Sequence, residues 1–440
     1  MRGKWLFRFK KEINSQLAHT NILSLTLRGV VNNDPDDPEG LVPKDYRTYQ
    51  FFEKGDLVFK LIDLENLRTS RVGLVHEDGI MSPAYLRLVP IHNGVQRFFY
   101  YQYFDLYQRG VFNQLGAGVR STLGQSDLLN VSILEPRIEE QSAIVRFLDF
   151  TDQRINHYIR AKKKLIVLLN EQKQAIIQQA VTRGTDPNVR LKPSGVEWLG
   201  DVPEHWQVVR SKRLFTVRKE LARPDDVQLS ATQAYGVIPQ AEFEQIVSRR
   251  VVKLLMHLEK RRHVEKDDFV ISMRSFQGGL ERAWTSGAIR SSYVVLKPAF
   301  CANVSFFSYL LKSSGYIRAL QATANFIRDG QDLTYENFRS VDLPLVPINE
   351  QEAIASYITN ATSRIDTNIS RLRRELEFLW EYHKRLIADV VTGKLDVREA
   401  AAHLPVELEK LESVDDEEIL SEEESLDDAE LDGEKEESEV

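Results

Sequence analysis

One amino-acid pattern occurs twice in this chain, at a constant spacing of 210 residues. The segment from Ile138 reads IEEQSAIVRFLDFTDQRINHYI, and the segment from Ile348 reads INEQEAIASYITNATSRIDTNI. The copies align without a gap and share a Glu-Gln pair near the start and an Arg-Ile pair in the middle. Repetition over this distance predicts that the chain contains two copies of one structural unit.

Weaker repeats at nearly the same spacing extend this prediction to most of the chain. KWLFRFKKE at Lys4 matches KRLFTVRKE at Lys212, and GIMSPAYLRLVP at Gly79 resembles GAIRSSYVVLKP at Gly287. Each unit is therefore expected to contain a globular domain followed by one long helix.

The strongly repeated segments have the features of long helices. Each begins just after a proline, Pro136 or Pro347, and ends near a glycine, Gly184 or Gly393. Acidic residues in the first turn complement the helix dipole, and glycine is typical of a helix end. About 45 residues at 1.5 Å each give a rod of roughly 67 Å.

Apolar residues in alternating steps of four and three predict a coiled-coil seam in each helix. In the first helix this series starts at Ile144 and includes Tyr158 and Leu165. Because the chain returns between the two helices, we expect them to pair as an antiparallel coiled coil. The two globular domains would then be related by a pseudo-twofold axis.

The segments outside the helices predict domains of mixed composition, so the fold class is α+β. DLVFKLID and DDFVISMR alternate like strands, whereas RFFYYQYFDLYQ and SFFSYLLKSSGYIRAL are typical of helices. The predicted boundaries are 1–135 for the first domain, 136–184 for the first helix, 185–346 for a linker and second domain, 347–395 for the second helix, and 396–440 for an acidic, disordered tail.

Charge separates this tail from the rest of the chain. Residues 407–440 contain 18 acidic residues and two lysines, so the remaining residues carry about +9 although the whole chain carries −7. A basic body favours a polyanionic partner.

No apolar stretch approaches the length of a membrane helix, and Cys301, the only cysteine, excludes an internal disulfide, so we expect a cytoplasmic protein. Cys301 is expected to pack as a small buried thiol beside nearby phenylalanines.

Common catalytic motifs are missing from the sequence. There is no GxxxxGK[ST] phosphate loop, no G-x-S-x-G elbow, no methyltransferase Asn-Pro-Pro-aromatic tetrapeptide and no clustered metal ligands. We therefore expect a noncatalytic protein without a bound metal or catalytic residues. An enzyme with an unrecognised site remains an alternative.

Loops rich in arginine, glutamine and glycine recur at equivalent places in both domains. Arginine forks and glutamine amides can bond to base edges, and lysine can neutralise phosphates, so these loops predict DNA binding. A lone exposed arginine is more often solvated or paired with a carboxylate, and Tyr85 and Tyr293 are expected in the core. The candidate DNA-binding residues are Arg68, Arg71, Gln114, Arg120, Arg249, Arg250, Lys253, Arg274, Gln277, Arg282, Arg290, Arg328 and Gln331.

These features together resemble the specificity subunits of type I restriction-modification systems. The resemblance lies in PSGVEWLGDVPEHW at Pro193, in GIMSPAY with its partner GAIRSSY, and in two helix starts with a Glu-Gln pair whose helices end in VTRG and VTGKLDVR. It covers about residues 1 to 400, and the duplicated order is more specific than any single motif.

The resemblance implies two target recognition domains that each read half of a split double-stranded DNA sequence. It also implies spacer helices that dock two methyltransferase subunits and, through them, restriction subunits. S-adenosylmethionine, ATP and Mg would be bound by those partners and not by this chain. The alternative is a coiled-coil scaffold that does not read sequence. Candidate partner-binding residues at the helix starts and on the helices are Glu140, Gln141, Arg154, Glu350, Gln351 and Arg364.

Overall fold

The computed structural model describes residues 1–27, 29–34, 45–62, 64, 70–92, 94–115, 122–247, 260–272, 275–323 and 333–405. The chain divides into two compact units. Unit 1 contains residues 1–160 together with the described residues from 374 onwards, and unit 2 contains residues 161–373. The predicted acidic tail after residue 405 lies outside the described residues.

Unit 1 is built on a four-stranded antiparallel sheet with the order β1-β8-β5-β6. Two further antiparallel pairs, β2 with β3 and β4 with β7, extend this domain. Its strands are β1 (Phe7–Lys10), β2 (Leu23–Thr26), β3 (Gly29–Asn32), β4 (Gln50–Phe52), β5 (Leu57–Phe59), β6 (Val72–Leu74), β7 (Gly79–Met81) and β8 (Leu86–Pro90). Its short helices are α1 (Gln96–Gln108), α2 (Val111–Leu115) and α3 (Gln125–Asn130).

Unit 2 repeats this topology, with a four-stranded sheet in the order β12-β19-β16-β17. The pairs β13 with β14 and β15 with β18 correspond to β2 with β3 and β4 with β7. Its strands are β9 (Leu191–Pro193), β10 (Asp201–Pro203), β11 (Gln207–Arg210), β12 (Phe215–Val217), β13 (Leu229–Thr232), β14 (Gly236–Pro239), β15 (Arg262–Val264), β16 (Phe269–Ile271), β17 (Glu281–Arg282), β18 (Gly287–Ile289), β19 (Val294–Pro298) and β20 (Asp342–Leu345). Its short helices are α5 (Gln240–Ile246), α6 (Ser275–Gly278), α7 (Val304–Leu310), α8 (Ser314–Ala322) and α9 (Tyr335–Ser340). The predicted internal repeat and α+β class are confirmed.

Two long helices, α4 (Ile138–Arg183) and α10 (Ile348–Val391), follow the two globular domains. In unit 1, the start of α4 and the end of α10 share one hydrophobic core. In unit 2, the end of α4 and the start of α10 do so. The pairing is therefore antiparallel within each unit, and the ion pair between Lys173 Nζ and Asp366 Oδ1, at 2.6 Å, links the helices in unit 2.

The buried stripe of α4 differs from the predicted series of four and three. Ile144, Ile155, Ile166 and Ile177 are 5%, 5%, 6% and 5% exposed and lie 11 residues apart. Tyr158 and Leu165, which the heptad series placed in the seam, are 49% and 44% exposed. An 11-residue repeat has 3.67 residues per turn, closer to the natural α-helix than a 3.5-residue repeat, so a long stripe stays on one face without left-handed coiling.

The segment that follows each long helix packs into a globular core. After α4, the side chains of Leu199, Val202 and Trp206 are buried in unit 2. After α10, Val397 is buried in the core of unit 1 just before the short helix α11 (Arg398–Ala402). The Arg146 guanidinium donates to the Leu404 carbonyl at 2.6 Å, which ties this last described segment to α4.

Candidate nucleic-acid interface

Most of the predicted DNA-binding residues lie outside the described residues. The structure places five of the thirteen: Arg71, Gln114, Gln277, Arg282 and Arg290. Those outside the described residues are Arg68, Arg120, Arg249, Arg250, Lys253, Arg274, Arg328 and Gln331.

Three described candidates lie at the surface. Gln114 is exposed on α2, and Gln277 is exposed on α6. Arg290 is partly exposed in the turn between β18 and β19. All three are placed where a side chain can reach a large ligand, and their contact with DNA stays a prediction.

Arg71 has a different environment from the one predicted, because its side chain is 0% exposed. Its Nη1 lies 3.5 Å from the Ile62 carbonyl oxygen, and its own carbonyl accepts a hydrogen bond from the Lys60 amide at 3.1 Å. Burial raises the pKa of Tyr107, and the charge of Arg71 opposes that shift. In this structure the Arg71 side chain is therefore an internal contact of the segment at the end of β5, and its guanidinium is not accessible to a ligand.

Arg282 lies on β17 and makes a well-defined set of contacts. Its Nε and Nη2 donate to Asp267 Oδ1 at 3.0 and 2.7 Å. Its Cζ lies 4.5 Å from the Trp284 ring centroid, within the range of a cation–π interaction. Trp284 itself is 50% exposed, so an exposed aromatic ring that the sequence patterns did not indicate accompanies this arginine.

A buried ionic group supports the sheet of each unit. In unit 1, Arg87 is 0% exposed and its Nε lies 2.5 Å from Asp56 Oδ2. In unit 2, Arg218 Nε lies 2.6 Å from Asp268 Oδ2. Burial raises the pKa of Asp56, against the opposing effect of the Arg87 charge. Sequence patterns did not identify either pair, because the partners are far apart along the chain.

His263, on β15, is held between two carboxylates and is 1% exposed. Its Nδ1 lies 2.8 Å from Asp226 Oδ2, and its Nε2 lies 3.0 Å from Glu265 Oε1. Two acceptors require two N–H donors, so the ring is the imidazolium form. Burial lowers the pKa of His263, but the hydrogen bonds to Glu265 and Asp226 raise it more, and the net change is upward.

Glu281, on β17, is a second buried titratable group in unit 2. Burial raises its pKa to about 7, although Lys312 Nζ lies 2.7 Å from its Oε2 and lowers it. Lys312 also donates to the Gln233 carbonyl at 2.7 Å, so it connects β17 to the turn between β13 and β14. This pair fixes the turn that lies next to Arg282.

The two repeated glutamines at the helix starts are buried and have equivalent internal roles. Gln141 is 2% exposed; its amide donates to the Pro136 carbonyl at 2.9 Å and accepts from the Val95 amide at 3.1 Å. Gln351 is 0% exposed; its amide accepts from the Asn303 amide at 2.7 Å and donates to the Val346 and Cys301 carbonyls. Both side chains join a helix start to the preceding domain, which leaves them inaccessible to a partner in this structure.

The other predicted partner-binding residues are not buried. Glu350 accepts hydrogen bonds from His205 Nε2 at 2.8 Å and Trp206 Nε1 at 3.0 Å. Glu140 is half-buried, whereas Arg154 and Arg364 are exposed on their helices. Their contact with a partner stays a prediction.

Cys301 lies at the surface, whereas two tyrosines that were predicted to be in the core pack against it. Cys301 is exposed, and the adjacent Phe300 is fully exposed, so the predicted buried thiol was wrong. Tyr85 and Tyr293 pack against hydrophobic clusters, as predicted.

Two kinds of feature are absent from the part of the chain that the structure describes. No group of three or more His, Cys, Asp or Glu side chains there is arranged to hold a metal ion. No helix in that part combines the length and apolar character needed to cross a bilayer.

Known proteins share both sequence and fold with this chain. Residues 31–166 match the family model described as the type I restriction modification DNA specificity domain. A protein of Methanocaldococcus jannaschii, named as a candidate type I restriction enzyme MjaX specificity subunit, is 26% identical over 298 residues. This match covers 66% of the present chain and 66% of the relative, so the chain spans just under two thirds of that relative's length. The resemblance to type I specificity subunits is confirmed.

One solved structure shares the fold of this chain. A chain from work on complex assembly and conformational transition of the type I R-M system aligns with a TM-score of 0.58 at 14% identity. It covers 90% of the present chain and 97% of that chain, so the fold is shared along nearly the whole length. The HsdS subunit of Thermoanaerobacter tengcongensis aligns with a TM-score of 0.40 at 15% identity, over 90% of this chain and 96% of that one.

Proposed function

We propose that this chain is the noncatalytic DNA-specificity subunit of a type I restriction-modification complex. Each unit would read one half of a split double-stranded DNA sequence through the loops at the ends of its central strands. The observation that carries the proposal is the same sheet order in two units, β1-β8-β5-β6 and β12-β19-β16-β17, in a chain that matches a specificity-domain family.

The proposal assigns the chemistry to other proteins. Two methyltransferase subunits would dock on the long helices and present a target adenine, and restriction subunits would join through them. S-adenosylmethionine, ATP and Mg would be bound by these partners, in the cytoplasm. A docking role for the helix surfaces is supported by two exposed arginines, Arg154 on α4 and Arg364 on α10. It is also supported by exposed aromatic residues further along α10, which are Phe378, Trp380 and Tyr382.

A map of methylated adenines in the native genome, with and without this gene, tests DNA reading directly. We expect one split motif to disappear when the gene is deleted. Replacing residues 191–346 with the equivalent domain of another specificity subunit should then change one half of the motif. An unchanged map, in cells that express the partner methyltransferase, would contradict the proposal.

The alternative is a scaffold that tethers proteins without reading DNA sequence, and the exposed aromatic residues of α10 fit this alternative as well as they fit the specificity subunit. Its prediction is weak DNA binding with equal affinity for the mapped motif and for a scrambled duplex. A preference for the mapped motif that survives at physiological salt would exclude this alternative.

The long helices would also fix the distance between the two half-sites. The 11-residue spacing suggests how to lengthen them without moving the buried stripe to another face. Inserting 11 residues after Leu168 and 11 after Thr367 adds about 16 Å, equivalent to about five base pairs. We expect a wider gap with unchanged half-sequences; altered half-sequences with a constant gap would contradict this idea.

A further inference from the structure

The tight turn before β16 has the same backbone shape as the turn before β5, but a different residue. In unit 1 the turn contains Gly55, with φ +92°, and its amide donates to the Val75 carbonyl at 2.8 Å. In unit 2 the equivalent residue is Asp267, with φ +73°, and its amide donates to the Ala283 carbonyl at 2.8 Å. Glycine adopts this left-handed conformation freely, whereas a residue with a side chain does so at a cost.

The Asp267 side chain has a specific task that accounts for this cost. It accepts two hydrogen bonds from Arg282, at Nε and Nη2. A guanidinium has five N–H donors, and among the described residues the other three donors of Arg282 have no acceptor. Asp267 therefore fixes the plane of Arg282 and leaves part of its hydrogen-bonding capacity available.

Trp284 lies against the same guanidinium and is held by the neighbouring hairpin. Its amide donates to the Val237 carbonyl at 3.0 Å. Gly236, with φ +75°, leaves room for its ring, because a Cβ at this position would lie 2.7 Å from Trp284 Nε1 and 2.8 Å from the Arg282 carbonyl oxygen. The indole is thus positioned from two sides and still half-exposed.

Unit 1 has the same framework but none of these side chains. The residues equivalent to Arg282 and Trp284 are Leu74 and His76, in the same strand and the residues after it. His76 bonds instead to Asn32 Oδ1, at 2.9 Å. Surfaces that dock two copies of one partner need to be alike, whereas surfaces that read two different half-sequences have to differ.

We propose that Arg282 and Trp284 form a DNA-reading surface of unit 2, with Asp267 as the positioning residue. Arg282 would donate to base-edge acceptors, best matched by O6 and N7 of guanine, and Trp284 would contact a thymine methyl group or the sugar beside it. This inference rests on the proposed function and adds to it the residues that make the second half-site different from the first.

Motif mapping of the whole complex in cells tests the assignment. We expect Trp284→Ala and Asp267→Gly to have one of two effects: about tenfold less methylation of the half-site that unit 2 reads, or loss of base preference at one position of that half-site. The sequence of the half-site that unit 1 reads should stay the same. Asp267→Gly restores the residue that the unit 1 turn uses and should fold. Trp5→Ala, which removes an indole 61% exposed in unit 1, is the matched control and should leave the motif intact.

An unchanged motif and methylation level in both Trp284→Ala and Asp267→Gly would overturn the inference while leaving the proposed function intact. Absence of any split motif with the wild-type chain would overturn the proposed function, and this inference with it.

A second measurement separates DNA from protein as the ligand. In the full chain with Trp5→Phe and Trp380→Phe, Trp284 is the half-exposed indole that remains, since Trp206 is buried and Trp198 partly so. We expect the mapped duplex, but not a scrambled one, to reduce quenching of its fluorescence by iodide about twofold or more. Protection by the methyltransferase subunit in the absence of DNA would assign the surface to a protein partner and overturn the inference.

Discussion

Arg218 and Asp268 form a buried ion pair in unit 2, with Nε 2.6 Å from Oδ2 and Nη2 3.1 Å from Oδ1. The equivalent carboxylate of unit 1, Asp56, pairs with Arg87, which belongs to a different strand of the sheet. The repeat pairs Lys10 with Arg218 and Arg87 with Val295. The buried carboxylate is therefore common to both units, and the arginine that neutralises it comes from either of two neighbouring strands.

The equivalence of the two arginine positions predicts that, in unit 1, an arginine at position 10 can replace Arg87 as the partner of Asp56. Arg87→Val leaves Asp56 buried without its arginine, and we expect a loss of about 3 kcal/mol in the free energy of unfolding. Adding Lys10→Arg recreates the arrangement of unit 2 and should recover at least half of the loss. Urea unfolding of the single and double variants measures both effects, and equal stability of the two variants would contradict the equivalence.

The imidazolium of His263 predicts a stability that depends on pH. The pKa of His263 in the folded chain is raised above the ordinary 6.5. Its contribution to the free energy of unfolding is therefore fully present below about pH 6.5 and is lost as the pH rises through the folded pKa. The pKa of Glu265 is lowered to about 2, chiefly by its hydrogen bond to His263, so that contribution is lost as the pH falls below about 4.5.

Thermal unfolding between pH 4 and pH 9 tests this prediction. We expect the melting temperature of unit 2 to fall on the alkaline side in the wild-type chain. His263→Gln should be less stable near neutral pH and should lose that alkaline slope. An identical slope in both proteins would mean that another group titrates in this range.

The buried amide of Gln351 predicts a large cost for an apolar replacement. Gln351→Leu would leave the Asn303 amide and two carbonyls without hydrogen bonds at a 0% exposed position. We expect a loss of about 2 to 3 kcal/mol, because each unsatisfied buried polar group carries a desolvation penalty. Glu352→Gln, at the exposed neighbouring position, is the control for chemical denaturation, and equal stability of the two variants would show that water replaces the amide.

The repeated fold could be predicted from the sequence because repetition is visible without three-dimensional information. The Glu-Gln pairs located both helix starts, and DLVFKLID and DDFVISMR correctly predicted β5 and β16. SFFSYLLKSSGYIRAL predicted one helix but forms two, α7 and α8, because the chain turns at residues 311–313.

Site residues were harder to predict because burial depends on contacts between distant segments. Arg71 was chosen as an exposed loop arginine, yet it is fully buried. Trp284 was missed because a lone tryptophan after a strand usually belongs to the core. The one available signal was the aspartate at position 267, where the other copy of the repeat has Gly55.

In the buried stripe of α4, two adjacent residues have the opposite burial from the one that the heptad series predicts. The heptad series places Leu165 in the seam, whereas the structure buries Ile166, at 6% exposed, and leaves Leu165 at 44%. Ile166→Ala should cost about 2 to 4 kcal/mol through lost burial and a cavity, and Leu165→Ala less than about 1 kcal/mol. Chemical denaturation of the two variants decides between the 11-residue and the 7-residue spacing of buried residues. A larger loss of stability in Leu165→Ala than in Ile166→Ala would support the heptad series. The expected order would show that these helices have to be lengthened in steps of 11 residues to keep the buried stripe on one face.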